Sequence, residues 1–408
     1  MSVWDDVVGQ PTAVATLREA AAAAADVVAG RPVAQGAMTH AWLFTGPPGS
    51  GRSVAARAFA AALECRPDPA DERGCGHCAA CHTVRAGTHP DVHLVVPSGL
   101  SIAVQDMRQI VLTAGRVPTS RRWQVVVIED ADRLTESAAN ALLKAIEEPP
   151  SRTVFLLCAP STHPDDVSVT IRSRCRVVSL RTPSAQAVAE VLVRRDGIDP
   201  ADAEWAAKAA QGHVGRARWL ARDADARDRR RAVLAVPAAL TRLDRCLAAA
   251  DDLVRAAEQD AAARSASLDE PERAALAQSL GAGATGRGTS AWVRGGAGAL
   301  KDLERRQKSR ATRTARDALD RALVDLAAFF RDVLVHQAHA GVALAHPDVS
   351  GDIARLASVL SAEGALRRLD AVLGAREALE LNVKPRIAVE AMTAQLRLPS
   401  VSEPSLGH

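Results

Sequence analysis

The segment Gly46-Pro47-Pro48-Gly49-Ser50-Gly51-Arg52-Ser53 constrains this chain more than any other. It follows the phosphate-loop pattern G-x-x-x-x-G-K-[ST] at every position but one, with Arg52 where the pattern has lysine. Such a loop works between a buried strand and the start of a helix, where backbone N–H groups converge on an anion. The pattern's lysine reaches the β- and γ-phosphates as a compact point charge. Arginine keeps the charge but carries a planar fork, so the exchange is not conservative. Backbone groups around Gly46, Gly49 and Gly51, with Ser53 opening the helix, can still cradle phosphate. Binding of ATP or ADP without hydrolysis and a relic loop holding no nucleotide both stay open.

The surroundings of the loop read as an α/β domain. Five short apolar runs occur at Ala41–Thr45, Val92–Val96, Gln124–Ile128, Thr153–Cys158 and Cys175–Leu180. They barely alternate, as strands buried on both faces of a parallel sheet do. Helical patterns at Ser53–Leu63, Val104–Thr113 and Glu136–Ile146 separate them. Strand alternating with helix predicts a doubly wound parallel sheet over residues 1–180. After Leu180 the strand signal stops, and Ala185–Arg194 and Ala201–Ala210 read as short helices of a second region over 181–222. Residues 223–408 read as an all-helical third region. There, Leu319, Leu323, Leu326, Phe330 and Leu334 recur on one helical face. Gly281–Gly298 reads as a flexible loop or insertion, and the tail after Leu398 as disordered.

Three further groups of residues carry chemistry. The run Val125–Ile128 ends in Glu129-Asp130, acids at a strand end that suit a magnesium site. Solvated acids are the plain alternative. Cys75-Gly76-His77-Cys78-Ala79-Ala80-Cys81, with Cys65 upstream, supplies four thiols at spacings that suit tetrahedral Zn²⁺. Cys65, Cys75, Cys78 and Cys81 are therefore expected to hold a structural zinc. His77 and His82 are substitute ligands that four thiols make unnecessary. Cys158, Cys175 and Cys246 read as core residues. In Ser173-Arg174-Cys175 an arginine stands at a strand edge, either a plain surface arginine or one able to reach a neighbour's phosphate.

Composition excludes several classes. A formal net charge of +3 over 408 residues does not mark a polyelectrolyte binder of DNA. Aromatic residues make up 3%, too few for base-stacking platforms. No run approaches the roughly 18 apolar residues of a membrane span. The start Met1–Asp6 lacks a basic and apolar leader pattern, which predicts a cytoplasmic protein with reduced cysteines.

Together these residues resemble the clamp-loader branch of the AAA+ ATPases, and within it the delta-prime family of bacterial DNA polymerase III. The likeness runs through Val7-Val8-Gly9-Gln10, His40–Thr45, the four-cysteine insert, Ile102–Arg108, Leu134–Pro150, Ser173-Arg174-Cys175 and Gly212–Ala217. It is strong over residues 1–220 and weak beyond. It implies an AAA+ domain, a lid and a helical collar joining a ring with gamma/tau and delta subunits. Such a ring opens a sliding clamp with ATP and closes it on primer–template DNA. In active members Asp precedes Glu at the strand end, whereas here the order is Glu129-Asp130. By the same likeness, Arg174 would act in a neighbour's ATP site, and Val8 and Gly9 would lie by adenine. Ser161 or Thr162 would occupy the sensor-one region, and Arg216 the sensor-two region. The expectation is a non-hydrolysing subunit with little or no ATPase of its own. The alternatives are a gamma/tau-type ATP-hydrolysing motor and a zinc-dependent DNA-binding protein using the basic run Arg305–Arg316.

Overall fold

Runs rich in Val, Ile, Leu and Phe extend because branched and aromatic side chains pack well on a pleated surface. Here five such runs pair into one sheet. The computed structural model describes residues 1–67, 72–97, 99–279 and 289–398, and the side chains of 267, 279 and 289–297 are not described. The chain forms two compact units, Met1–Arg222 and Asp223–His408.

In the first unit, α1 (Pro11–Val28) precedes β1 (Ala41–Thr45), α2 (Arg52–Glu64), α3 (Ala79–Arg85), β2 (Val92–Val95), α4 (Val104–Ala114) and β3 (Gln124–Ile128). Then come α5 (Glu136–Glu147), β4 (Thr153–Ala159), α6 (Val169–Arg172) and β5 (Arg176–Ser179). All pairings are parallel, in the order β2-β3-β4-β1-β5. The period of two sorts the strands into two cores. Trp42, Phe44, Val125, Val127, Leu156 and Cys158 pack with Leu17 of α1 and Phe59 of α2. Ala41, Leu43, Val126, Ile128, Phe155 and Leu157 pack with Met107 of α4 and Leu142 of α5. The rings of Trp42 and Phe59 meet edge-on at 5.0 Å.

The expectation of burial on both faces holds for β1, β3 and β4, which are buried throughout. It fails for β2 and β5, which form the two edges and are partly exposed. The 18-residue α1 was not assigned from sequence. Its buried face is mostly alanine, which leaves no bulky apolar period to read. Helices α7 (Ala185–Asp196), α8 (Pro200–Ala209) and α9 (Val214–Arg222) pack on one another after β5.

The second unit is helical: α10 (Ala224–Ala239), α11 (Leu243–Ser279), α12 (Thr289–Gln337), α13 (Ser350–Val359), α14 (Ala362–Glu380) and α15 (Pro385–Gln395). The stripe Leu319, Leu323, Leu326 and Phe330 is buried, with Leu334 packed against it. It meets Val372, Ala375 and Leu379 of α14 and Val389 and Met392 of α15 in one core. Gly281–Gly298, expected as a loop, is helical from Thr289 onward. Each glycine costs a helix about 1 kcal/mol, but extending a formed helix avoids the costly nucleation step. The remainder of that segment, 281–288, and the tail after Leu398 lie outside the described residues.

Candidate functional site

The phosphate-loop segment leaves β1 and enters α2 at the carboxyl end of the sheet. Its glycines are required by contact as well as by backbone angle. Gly46 has φ of 155°, and a Cβ there would stand 2.5 Å from the Leu180 carbonyl oxygen. Gly49 has φ of 86°, and a Cβ there would stand 2.8 Å from the Cβ of His213. The turn before α9 is therefore seated directly on the loop. Arg52 turns back on its own loop, where Nη1 donates to the Gly46 carbonyl oxygen. Gln10 staples the loop to the chain after β5. Its Nε2 donates to the Ser50 carbonyl at 3.3 Å, and its Oε1 accepts from the Arg181 N–H at 3.1 Å.

The acids at the end of β3 have partners of their own. Arg57, on α2, donates from Nε to Glu129 Oε1 at 2.9 Å, and its Nη2 reaches the same oxygen. Asp130 adopts the left-handed conformation, φ 54°, which a short polar side chain tolerates. Burial, followed by the charge of Asp130, pushes the Asp132 carboxyl above its ordinary range.

Arg174 sits in the turn between α6 and β5. Its Nη1 donates to the Thr170 carbonyl at 3.1 Å and lies 3.2 Å from Ser173 Oγ, and its Nη2 meets Glu147 Oε1 at 2.8 Å. Trp42 pairs with Arg176 and Thr45 with Ser179. Arg174 thus precedes the amino end of β5, whereas the loop follows the carboxyl end of β1. The offset is about six residues, roughly 20 Å at the usual rise of a strand. Neighbouring Cys175 is packed against the core, and burial pushes its thiol up to about 12.

Four thiols converge beside α2. The ligand atoms of Cys65, Cys75, Cys78 and Cys81 all lie within 4.8 Å of one another, with Cys65 Sγ 3.6 Å from Cys75 Sγ and 3.8 Å from Cys78 Sγ. Cys65 ends α2, and Cys78 caps α3, its sulfur accepting the Cys81 N–H. Sharing a proton with Cys81 holds the Cys65 thiol below its ordinary range and pushes Cys81 up. A cluster of four sulfurs at this spacing can hold a metal ion, and its donor set suits a tetrahedral thiolate site. His77 and His82 are exposed and lie outside the cluster. The N-terminal segment clamps the module. Val3 N–H donates to the Gly74 carbonyl at 2.9 Å, and buried Trp4 donates from Nε1 to the Arg73 carbonyl at 2.9 Å.

Comparison with known proteins finds relatives of part of the chain. A family model described as DNA polymerase III, delta subunit, matches residues 28–184. The delta-prime subunit of DNA polymerase III from Pseudomonas aeruginosa is 39% identical over 166 residues, 40% of this chain and 50% of that protein. Over this segment the chain is similar to delta-prime and tau subunits of DNA polymerase III. The tau subunit from Bacillus subtilis is 34% identical over 185 residues, 45% of this chain and 30% of its own length. This chain spans about half or less of the length of the curated relatives it matches. A gamma-subunit-related protein of Thermotoga maritima aligns over 88% of this chain and 94% of its own, at 15% identity and TM-score 0.38.

In the structure, the residues nominated from the sequence fall into separate groups. Val8 and Gly9 precede the Gln10 staple, Val8 is buried, and a Cβ on Gly9 would lie 3.4 Å from Pro183. Gly51, Arg52 and the half-buried Ser53 complete the loop. Arg216 is buried, and its N–H donates to His213 Nδ1 at 3.2 Å. Thr162 offers its carbonyl to Arg172 at 3.1 Å, while the Ser161 hydroxyl is bonded to Asp166 at 2.6 Å. Sequence reading missed Arg57, His213 and Trp4 as site-shaping residues, since each acts through a partner far away along the chain.

Proposed function

We propose that this chain is a non-hydrolysing delta-prime subunit that supplies Arg174 to the ATP site of a neighbouring gamma/tau subunit during loading of the sliding clamp. The observation that supports this reading best is the position of Arg174, across the sheet from the chain's own loop and 39% exposed. An arginine so placed is out of reach of the chain's own loop and open to a phosphate on a neighbouring subunit. The chain's own site is compromised twice: Arg52 bonds its own loop, and Glu129 is paired with Arg57. The loop glycines would still favour ADP or ATP by backbone N–H groups, without turnover. In this reading the four cysteines hold a structural Zn²⁺, and the helical second unit is the collar that joins gamma/tau and delta. The ring as a whole meets the clamp and primer–template DNA.

The test is the clamp-stimulated ATPase of the assembled ring with Arg174→Ala. Such fingers contribute on the order of 10³-fold or more at the affected site, so turnover there should fall by that factor. An unchanged ring ATPase would overturn the proposal.

A further inference from the structure

Arg174 is held at both ends. Its N–H donates to the Ile171 carbonyl at 3.1 Å, and Ile171, 1% exposed, anchors the short helix α6 in the core. At the guanidinium, Thr170 O and Ser173 Oγ engage Nη1. Only Glu147 engages Nη2. Glu147 meets Nη2 as an ion pair, and no hydrogen bond from Nε–H or Nη2 is made among the described residues. Two parallel N–H donors are what a phosphate takes from an arginine.

Glu147 comes from a different element. It is the last residue of α5, next to Glu148, and α5 packs on α6. Carboxylates at a helix carboxyl end face the negative pole of the helix dipole, which disfavours them. A cation against Glu147 offsets that repulsion; Lys144 lies in the same last turn, and Arg174 meets the Glu147 carboxylate from another element. Glu147 therefore fixes one edge of the guanidinium and turns the other edge outward.

We infer that Glu147 is a positioning residue for Arg174, holding its guanidinium with the free edge presented to a phosphate on a neighbouring subunit. This inference rests on the reading of Arg174 as an arginine acting in trans. A guanidinium tethered by one carboxylate loses less rotamer freedom on meeting phosphate than one swinging in solvent. Glu147 touches no substrate in this scheme, so its loss should appear in kcat rather than KM.

The experiment uses the full chain assembled with its gamma/tau partner, ATP, sliding clamp and primer–template DNA. Glu147→Gln keeps the shape and an acceptor oxygen but removes the charge. It should lower kcat about two- to fivefold, the scale of one exposed ion pair, with KM for ATP unchanged. In the Arg174→Ala background it should have no further effect, because the two residues act as one unit. If Arg174→Ala leaves the rate unaltered, the action in trans falls and the inference with it. If Arg174→Ala lowers the rate but Glu147→Gln does not, or lowers it equally in both backgrounds, only the role of Glu147 falls. Unchanged thermal midpoints would separate either result from misfolding.

Discussion

At the scale of single residues, two positions decide what the phosphate loop can do. Arg52 directs its guanidinium at the Gly46 carbonyl, so the cation that should face a phosphate is spent on the loop itself. Gly49 lies under His213, and its backbone has φ of 86°. Both facts oppose a side chain there. Gly49→Ala should cost about 1–3 kcal/mol, from backbone strain and overlap with His213. Chemical denaturation of the first unit measures it, and a neutral substitution would mean that the turn before α9 does not rest on the loop. The glycine and arginine types were legible in the sequence. The direction in which Arg52 points was not, because its partner is set by how the loop closes.

At the scale of elements, the cysteine module is the clearest case. Helix α2 delivers Cys65, α3 delivers Cys78 and Cys81, and the intervening chain delivers Cys75. The C-x-x-C spacing made the cluster readable, since its thiols are local in sequence. The clamp by Val3 and Trp4 was not readable, as it joins positions some seventy residues apart. A Zn²⁺ held by the four thiols would stabilise the folded module by about 2.7 kcal/mol at a free-ion concentration a hundredfold above Kd. Chelation of zinc-loaded protein should therefore lower its thermal midpoint, with exposure of Trp4 as a red shift in tryptophan emission. No shift on chelation, with metal removal verified by elemental analysis, would exclude a structural metal.

At the scale of the molecule, two units carry separate cores. Phe330 is fully buried in the core of the second. Phe330→Ala should remove about 3–5 kcal/mol from that unit, by lost transfer energy and the cavity left behind. Five of the six tryptophans, at 4, 42, 123, 205 and 219, lie in the first unit. Helix loss by circular dichroism should therefore move to lower denaturant while most of the fluorescence transition stays. A joint shift of both signals would mean that the two units unfold as one.

The sequence by itself determined the parallel sheet, the helical second unit, the cysteine cluster and the candidate site residue types. Each depends on periodicity or short spacing, and such patterns survive without any knowledge of the fold. Only the tertiary structure decided which strands form the edges and that Glu129 meets Arg57. It alone set Arg174 at the amino end of β5 with Glu147 beside it. Those facts depend on strand order, register and the packing of α5 on α6, which no local pattern encodes.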